Sequence, residues 1–336
     1  MKRLVPIVAV LLLLQAPPAA AQDLERGWEA AQRGDYATAL DEWRPLAEQG
    51  LAQAQLGLGA MYSEGQGVPQ DYAEAVRWYR LAAEQGLAQA QFILGAMYTE
   101  GQGVPHAFAE AVRWYRLAAE QGLASAQYNL GFMYREGRGV PQDYAEAVRW
   151  IWLAADQSLA SAQYDLGVMY REGQGVPQDY AEAVRWFRLA AEQANARAQV
   201  NIGTMYAEGQ GVAQDYAKAV KWFRLSAEHR VAQAQHNLGF MYSAGQGVPQ
   251  DYEEAVRWYR LAAEQGYASA QYNLGVIYDE GQGAPQDDLL AHMWFNLAAA
   301  QGEEGAATNR DTIAERLSPN QLSEAQRLAR EWQPEP

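Results

Sequence analysis

Four histidines, His106, His229, His236 and His292, and a column of carboxylates are the residue types in this chain that could do acid–base or metal chemistry. A zinc site needs three or four ligands converging at short spacings, as in His-Glu-x-x-His. The histidines are scattered over 186 residues without metal-ligand spacing, and that motif does not occur. The carboxylates Glu64, Glu100, Glu136, Glu172, Glu208 and Glu280 share one register at multiples of 36 residues. Glycosidase-type chemistry needs one proton donor and one base or nucleophile at a fixed separation. An active site of that kind is a single departure in a chain, so a repeated glutamate reads as scaffold or surface. Gly65-x-Gly67 opens like a nucleotide-binding loop, but it lacks the third glycine and the lysine and recurs along the chain. It reads as a helix stop followed by a turn. The absence of cysteine excludes disulfides, thiolate catalysis and sulfur-ligated metals. No catalytic residue, metal ligand or cofactor is assigned, and the chain is not expected to be an enzyme.

The elements that carry these residues are repeats. The segment LGAMYSEGQGVPQDYAEAVRWYRLAAEQG recurs at a 36-residue step, with marker glycines at Gly59, Gly95, Gly131, Gly167, Gly203, Gly239 and Gly275. The matching aromatic marker is Trp78, Trp114, Trp150, Trp186, Trp222, Trp258 and Trp294. Each repeat predicts two helices. The first, over Ala52 to Glu64, is built from good helix formers and stops at Gly65, which suits the left-handed position after a helix. Gly67, Val68 and Pro69 make the connection. The second begins with Asp71 as N-cap and Glu74 three residues on, predicting a reciprocal capping box. The same pair returns at Asp143/Glu146, Asp179/Glu182 and Asp251/Glu254, and is broken at Ala107, Lys218 and Leu290. Ala75, Trp78, Tyr79 and Ala82 fall on one face and Glu74, Arg77, Arg80 and Glu84 on the other, with Arg80 and Glu84 spaced for an i,i+4 pair. Gly59 costs about 1 kcal/mol inside a helix, so its recurrence predicts a close helix–helix approach, with the Ala75 column expected opposite. A single repeat cannot bury its apolar face, and stacked repeats can.

The combined pattern Leu-Gly-x-Met-Tyr, Gly-x-Gly-Val-Pro, Asp-Tyr-x-x-Ala-x-x-Trp and Ala-Ala-x-x-Gly closely resembles the Sel1-like repeat family, relatives of tetratricopeptide repeats with a longer connection between the helices. The resemblance covers residues 51–302 in seven repeats. It implies an all-α, right-handed α/α superhelical solenoid of tandem helix-turn-helix repeats that serves as an adaptor or scaffold. Residues 22–50 resemble a shorter tetratricopeptide-type opening repeat, with Gly34-Asp35-Tyr36 joining its helices and Pro45 inside the second. Residues 303–336 leave the pattern and predict two capping helices, Arg310 to Leu317 and Gln321 to Trp332, split by Ser318-Pro319.

Constant columns hold a repeat fold, so specificity belongs to variable ones. In the first helix of the opening full repeat these are Gln53, Leu56, Ala60 and Ser63, which share one face. By resemblance to tetratricopeptide repeats this face lines the concave surface. The columns lead to Phe92, Tyr128-Phe132-Arg135, Tyr164-Val168-Arg171, Arg197, His236-Phe240 and Tyr272-Val276-Asp279. An aromatic stripe with arginines has the composition of a binding hot spot, and the central set Tyr128, Phe132, Arg135, Tyr164 and Arg171 is basic within an acidic chain. The other reading is that Tyr128, Tyr164 and Tyr272 pack between repeats.

The net charge is −15, spread without acidic blocks, and a strongly acidic surface repels phosphate backbones, which argues against nucleic acid. Met1 to Ala21 has the form of a cleavable secretory leader: Lys2 and Arg3, an apolar run from Leu4 to Leu14, and Ala19-Ala20-Ala21 before Gln22. That run is half the ~20 residues a membrane span needs. The mature chain is therefore expected outside the cytoplasm, periplasmic or secreted, without membrane insertion, as a monomer. The expected partner is a protein or peptide with an acidic segment or free carboxylate. The rival reading is a peptidoglycan- or glycan-binding or hydrolytic protein of the envelope.

Overall fold

The computed structural model describes residues 18–334, and all eighteen regular elements among them are α-helices. The leader's apolar run, Leu4 to Leu14, lies outside the described residues, and α1 begins at Pro18, ahead of the expected cleavage point. The opening pair is α1 (Pro18–Gln32) and α2 (Tyr36–Glu48). Seven pairs follow: α3 (Ala52–Glu64) with α4 (Tyr72–Glu84), α5 (Ala88–Glu100) with α6 (Phe108–Glu120), α7 (Ala124–Glu136) with α8 (Tyr144–Asp156) and α9 (Ala160–Glu172) with α10 (Tyr180–Glu192). Then come α11 (Ala196–Glu208) with α12 (Tyr216–Glu228), α13 (Ala232–Ala244) with α14 (Tyr252–Glu264) and α15 (Ala268–Glu280) with α16 (Asp288–Ala300). The cap is α17 (Ala306–Arg316) and α18 (Pro319–Glu331), each starting ahead of its sequence-based boundary. Ser318 caps α18 in a reciprocal box with Gln321.

The chain divides into two parts. The first runs to Ala162 with Gln174–Val176, and the second holds Gln163–Gly173 and everything from Pro177. Each part is a stack of small cores. In the first, α4 and α5 enclose Ala75, Val76, Tyr79, Leu94 and Met97, and the tryptophan of the next second helix, Trp114, closes the cluster. Trp150 does the same for the core holding Tyr115 and Leu130. In the second part Trp258 closes a core with Phe223, Leu238 and Met241. The tryptophan of one repeat is thus a staple onto the repeat before it.

Three local expectations are corrected by the structure. Gly59 faces Tyr79, not Ala75: a Cβ there would sit 2.6 Å from the Tyr79 ring, and Gly167 stands in the same relation to Phe187 at 2.7 Å. The mid-helix glycine makes room for the residue that follows each tryptophan, an aromatic except at Gly131, where Ile151 fills the place and the Ala147 carbonyl also lies close. The capping box forms only its aspartate half. Asp71 accepts from the Ala73 and Glu74 amides, but its own amide, which Glu74 would serve, already bonds the Tyr62 carbonyl at 2.9 Å. Glu74 turns to Arg77 instead, as Glu146 turns to Arg149 and Glu182 to Arg185. Arg80 does not reach back for Glu84. It donates to Tyr98 Oη in the next repeat at 2.8 Å, and Arg116–Tyr134, Arg188–Tyr206, Arg224–Tyr242 and Arg260–Tyr278 repeat the bond.

A buried glutamine ladder runs beside the tryptophans. Gln55 donates to the Ala47 carbonyl and accepts from Gln85 at 2.7 Å. Gln91/Gln121 and Gln127/Gln157 continue it in the first part, and Gln163/Gln193, Gln235/Gln265 and Gln271/Gln301 in the second. Where His229 replaces the outer glutamine, Gln199 Oε1 is left buried without a partner.

Candidate functional site

The variable face of the first helices is half-buried. Gln53, Leu56, Ala60 and Ser63 are each partly covered. Leu56 packs on the core of α4 and α5, and Ser63 Oγ lies 3.3 Å from Tyr79 Oη. The same packing engages most of the aromatic side chains in these columns. In the first part Phe92 lies 5.9 Å from Tyr115, and Tyr128 is half-buried. In the second, Tyr164 lies 5.9 Å from Phe187 and Tyr272 lies 5.6 Å from Phe295. Tyr272 Oη also accepts from Asn309 of the cap. His236 packs against Tyr259 and Tyr267 and meets Asn273 at 3.0 Å. Burial lowers its pKa, partly offset by Asn237 and Glu303, so the ring is a neutral packing element near pH 7. Arg171 donates to Asn201 at 2.7 Å and to Glu172 at 2.8 Å, and Val168 joins the core of the second part. Asp279 is tied to Arg316 of the cap. Arg197 and Phe240 are the open residues of the set, Phe240 with 49% of its surface exposed.

Phe132 and Arg135, in the first part, belong to a different arrangement. Arg135 stacks 5.0 Å from the Phe132 ring centre, and Arg138 lies 5.6 Å from it on the loop side. Arg138 also lies 5.8 Å from Phe108, the first residue of α6, which is 37% exposed. The His106 ring is 6.5 Å from Phe108. A close backbone crossing brings these residues together: a Cβ on Gly139 would lie 2.4 Å from the Phe108 main chain. The loop after α7 is thereby pressed onto the start of α6, and its neighbour Arg138 is set over both rings.

Nearly every member departs from the opening repeat, where the residues corresponding to His106, Phe108, Phe132, Arg135 and Arg138 are Gln70, Tyr72, Ala60, Ser63 and Gln66. Ala107 takes the place of Asp71, so α6 starts without a side-chain cap and without that negative charge. Arg135 keeps a partner in Glu136 at 3.0 Å, while Arg138 is exposed. Stacked guanidinium–aromatic pairs add about 0.5–1 kcal/mol each at exposed sites and hold the cations in place. The result is an aromatic surface on which Arg138 presents its positive charge to solvent.

Of this cluster, sequence reasoning singled out Phe132 and Arg135 as candidates and passed over Phe108 and Arg138, because it followed only the columns of the first helices. The missed signal was Arg138 itself, in a loop position that is Gln66, Gln102, Gln174, Gln210, Gln246 and Gln282 elsewhere. Among the described residues no group of three or more histidine and carboxylate side chains is placed to hold a metal ion.

Comparison with known proteins agrees with the repeat fold. The Sel1 repeat profile matches seven consecutive stretches, 52–87, 88–123, 124–159, 160–195, 196–230, 232–267 and 268–303. A solved Sel1 repeat protein from Oxalobacter formigenes is 35% identical over 88% of each chain, with a TM-score of 0.68. A protective antigen present in uropathogenic Escherichia coli strains, displaying an SLR fold, is 31% identical over 93% of this chain and 91% of that one, with a TM-score of 0.57. No curated protein matched the chain.

Proposed function

Because this chain belongs to the Sel1 repeat family, we propose that it is an exported scaffold of the bacterial envelope that holds a protein or peptide through an acidic segment. Sel1 repeat proteins are protein-interaction scaffolds and are generally non-catalytic. The observation that carries the partner chemistry is the Phe108–Phe132–Arg135–Arg138 cluster, a basic aromatic surface in a protein of net charge −15. Arginine meets a carboxylate through two parallel hydrogen bonds, and aromatics add contact area at small entropic cost. Export rests on the leader-like Met1 to Ala21. No helix among the described residues is long and apolar enough to cross a membrane.

Two measurements test the proposal. Mass spectrometry of the mature chain should find Gln22 at its N-terminus, and an intact Met1 would overturn export. Pull-downs from periplasmic extract and on purified sacculi should favour a protein, captured less well by Arg138→Gln and Phe132→Ala and equally by Lys221→Gln, an exposed control. Binding should weaken with salt, since screening at ~0.15 M already acts over ~8 Å. Capture by sacculi alone would favour the glycan reading.

A further inference from the structure

The last repeat breaks its own pattern at one buried position. Val76, Val112, Val148, Val184, Val220 and Val256 fill one column, and the seventh member is His292. His292 is 2% exposed, and its Nδ1 is buried without a hydrogen-bond partner. An imidazole in a valine site carries a desolvation cost that the valine does not. Its neighbours depart as well. Asn296 stands where Arg80, Arg116, Arg188, Arg224 and Arg260 hold the next repeat's tyrosine.

These departures face a cleft of about 340 Å³ among α16, α17 and α18, at the small end of the ~300–1,000 Å³ of ligand pockets. Its polar lining is His292 and Asn296 from α16, Arg310 and Asp311 from α17, and Gln326 and Arg330 from α18. Arg310 and Asp311 are already paired, at 2.7 Å. Arg330 has no ion-pair partner among the described residues, so the lining carries one uncompensated cation. The two amides, Asn296 and Gln326, add donors.

We propose that this cleft binds a small carboxylate, with Arg330 as its charge partner, the amides of Asn296 and Gln326 as further donors, and His292 as the buried polar wall. A planar guanidinium fork matches a planar carboxylate. Burial, and secondarily Arg310, lowers the His292 pKa, with Asp311 opposing. The ring is therefore neutral at pH 7, and a bound carboxylate would raise its pKa.

The test is histidine NMR on the full mature chain, titrated with succinate at constant ionic strength. There are four histidines, and His292→Val, which restores the column residue, assigns the signal. The expected result is a saturable shift of the His292 resonance with a rise in its pKa. Arg330→Gln, an exposed substitution, should weaken the affinity by about tenfold or more. Phosphate and chloride should leave the resonance unchanged. No saturable shift up to tens of millimolar, an affinity unaltered in Arg330→Gln, or an equal response to phosphate would each overturn the proposal.

Discussion

At the junction after α12, His229 interrupts a ladder that the other repeats complete, and Arg230, like Ser158 and Ala194 in its column, takes a left-handed backbone without being glycine. His229 stands where Gln85, Gln121, Gln157, Gln193, Gln265 and Gln301 donate to the ladder, which leaves Gln199 Oε1 buried and unbonded. Arg230 then adopts φ 60°, a left-handed backbone that the equivalent Gly86 takes freely at φ 87°. An unmade buried hydrogen bond costs about 1–3 kcal/mol, and a non-glycine residue in that conformation about 1–2 kcal/mol. His229→Gln with Arg230→Gly should therefore raise unfolding stability by about 2–5 kcal/mol, read as a higher denaturant midpoint at unchanged slope. An unchanged or lower midpoint would mean that the ladder contributes nothing there. Tyr79 makes a second prediction. Burial pushes its phenol up to about 12, against an ordinary 10.0. The unfolded chain loses that proton first, so the contribution of Tyr79 is intact below pH 10 and lost as pH rises toward 12. That loss is roughly 2–3 kcal/mol from this residue at about 1.36 kcal/mol per unit. Stability should be flat from about pH 8 to 10 and fall steeply above it, less steeply in Tyr79→Phe, which keeps the ring against Gly59.

Helix pairs are stabilised by different parts of the sequence with unequal visibility. The helices, the glycine stops and the tryptophan column were legible because each is a constant residue at a constant step. The partner of Gly59 was not, since a column says that space is needed but not which neighbour fills it; the structure assigns Tyr79. The glutamate arm of the capping box failed for a related reason, as only the folded chain shows the Tyr62 carbonyl taking the Asp71 amide. The cluster at Phe108 and Arg138 joins a loop to a helix of the preceding repeat, a proximity invisible to a search along single helices. The tryptophan column itself yields a test. Trp186 is 4% exposed with Arg185 stacked 5.2 Å from its ring centre, and Trp186→Ala should cost about 3–5 kcal/mol. Because each repeat packs on its neighbours alone, hydrogen exchange should quicken in the helices flanking α10 and stay slow near α15 and α16. Uniform loosening along the chain would contradict a nearest-neighbour array.

On the scale of the whole molecule, stability in such an array is a sum of repeat and interface terms with no single centre, and the separate cores of the first part bear this out in their composition. The core closed by Trp114 and the core closed by Trp150 use the same columns: alanines, a valine, an aromatic, a leucine and a methionine. Their interfaces are therefore interchangeable. Removing residues 88–123 would join Leu87 to Ala124, placing α7 where α5 stood, with Ala126, Leu130 and Met133 in the positions of Ala90, Leu94 and Met97. The shortened chain should fold with the same helical signal per residue. Its melting temperature should fall by only a few degrees, since one repeat's share of the free energy is lost along with its share of the unfolding entropy. It should also keep the Phe108-independent half of the partner surface, Phe132 with Arg135 and Arg138, and so retain weakened binding. Removing residues 88–105, a first helix and its loop alone, makes the contrasting case. That deletion sets two second helices in succession and leaves the Ala75, Val76 and Tyr79 face of α4 without its cover. It should lose cooperative melting in the first part, and equal tolerance of both deletions would show that register between repeats does not govern the fold.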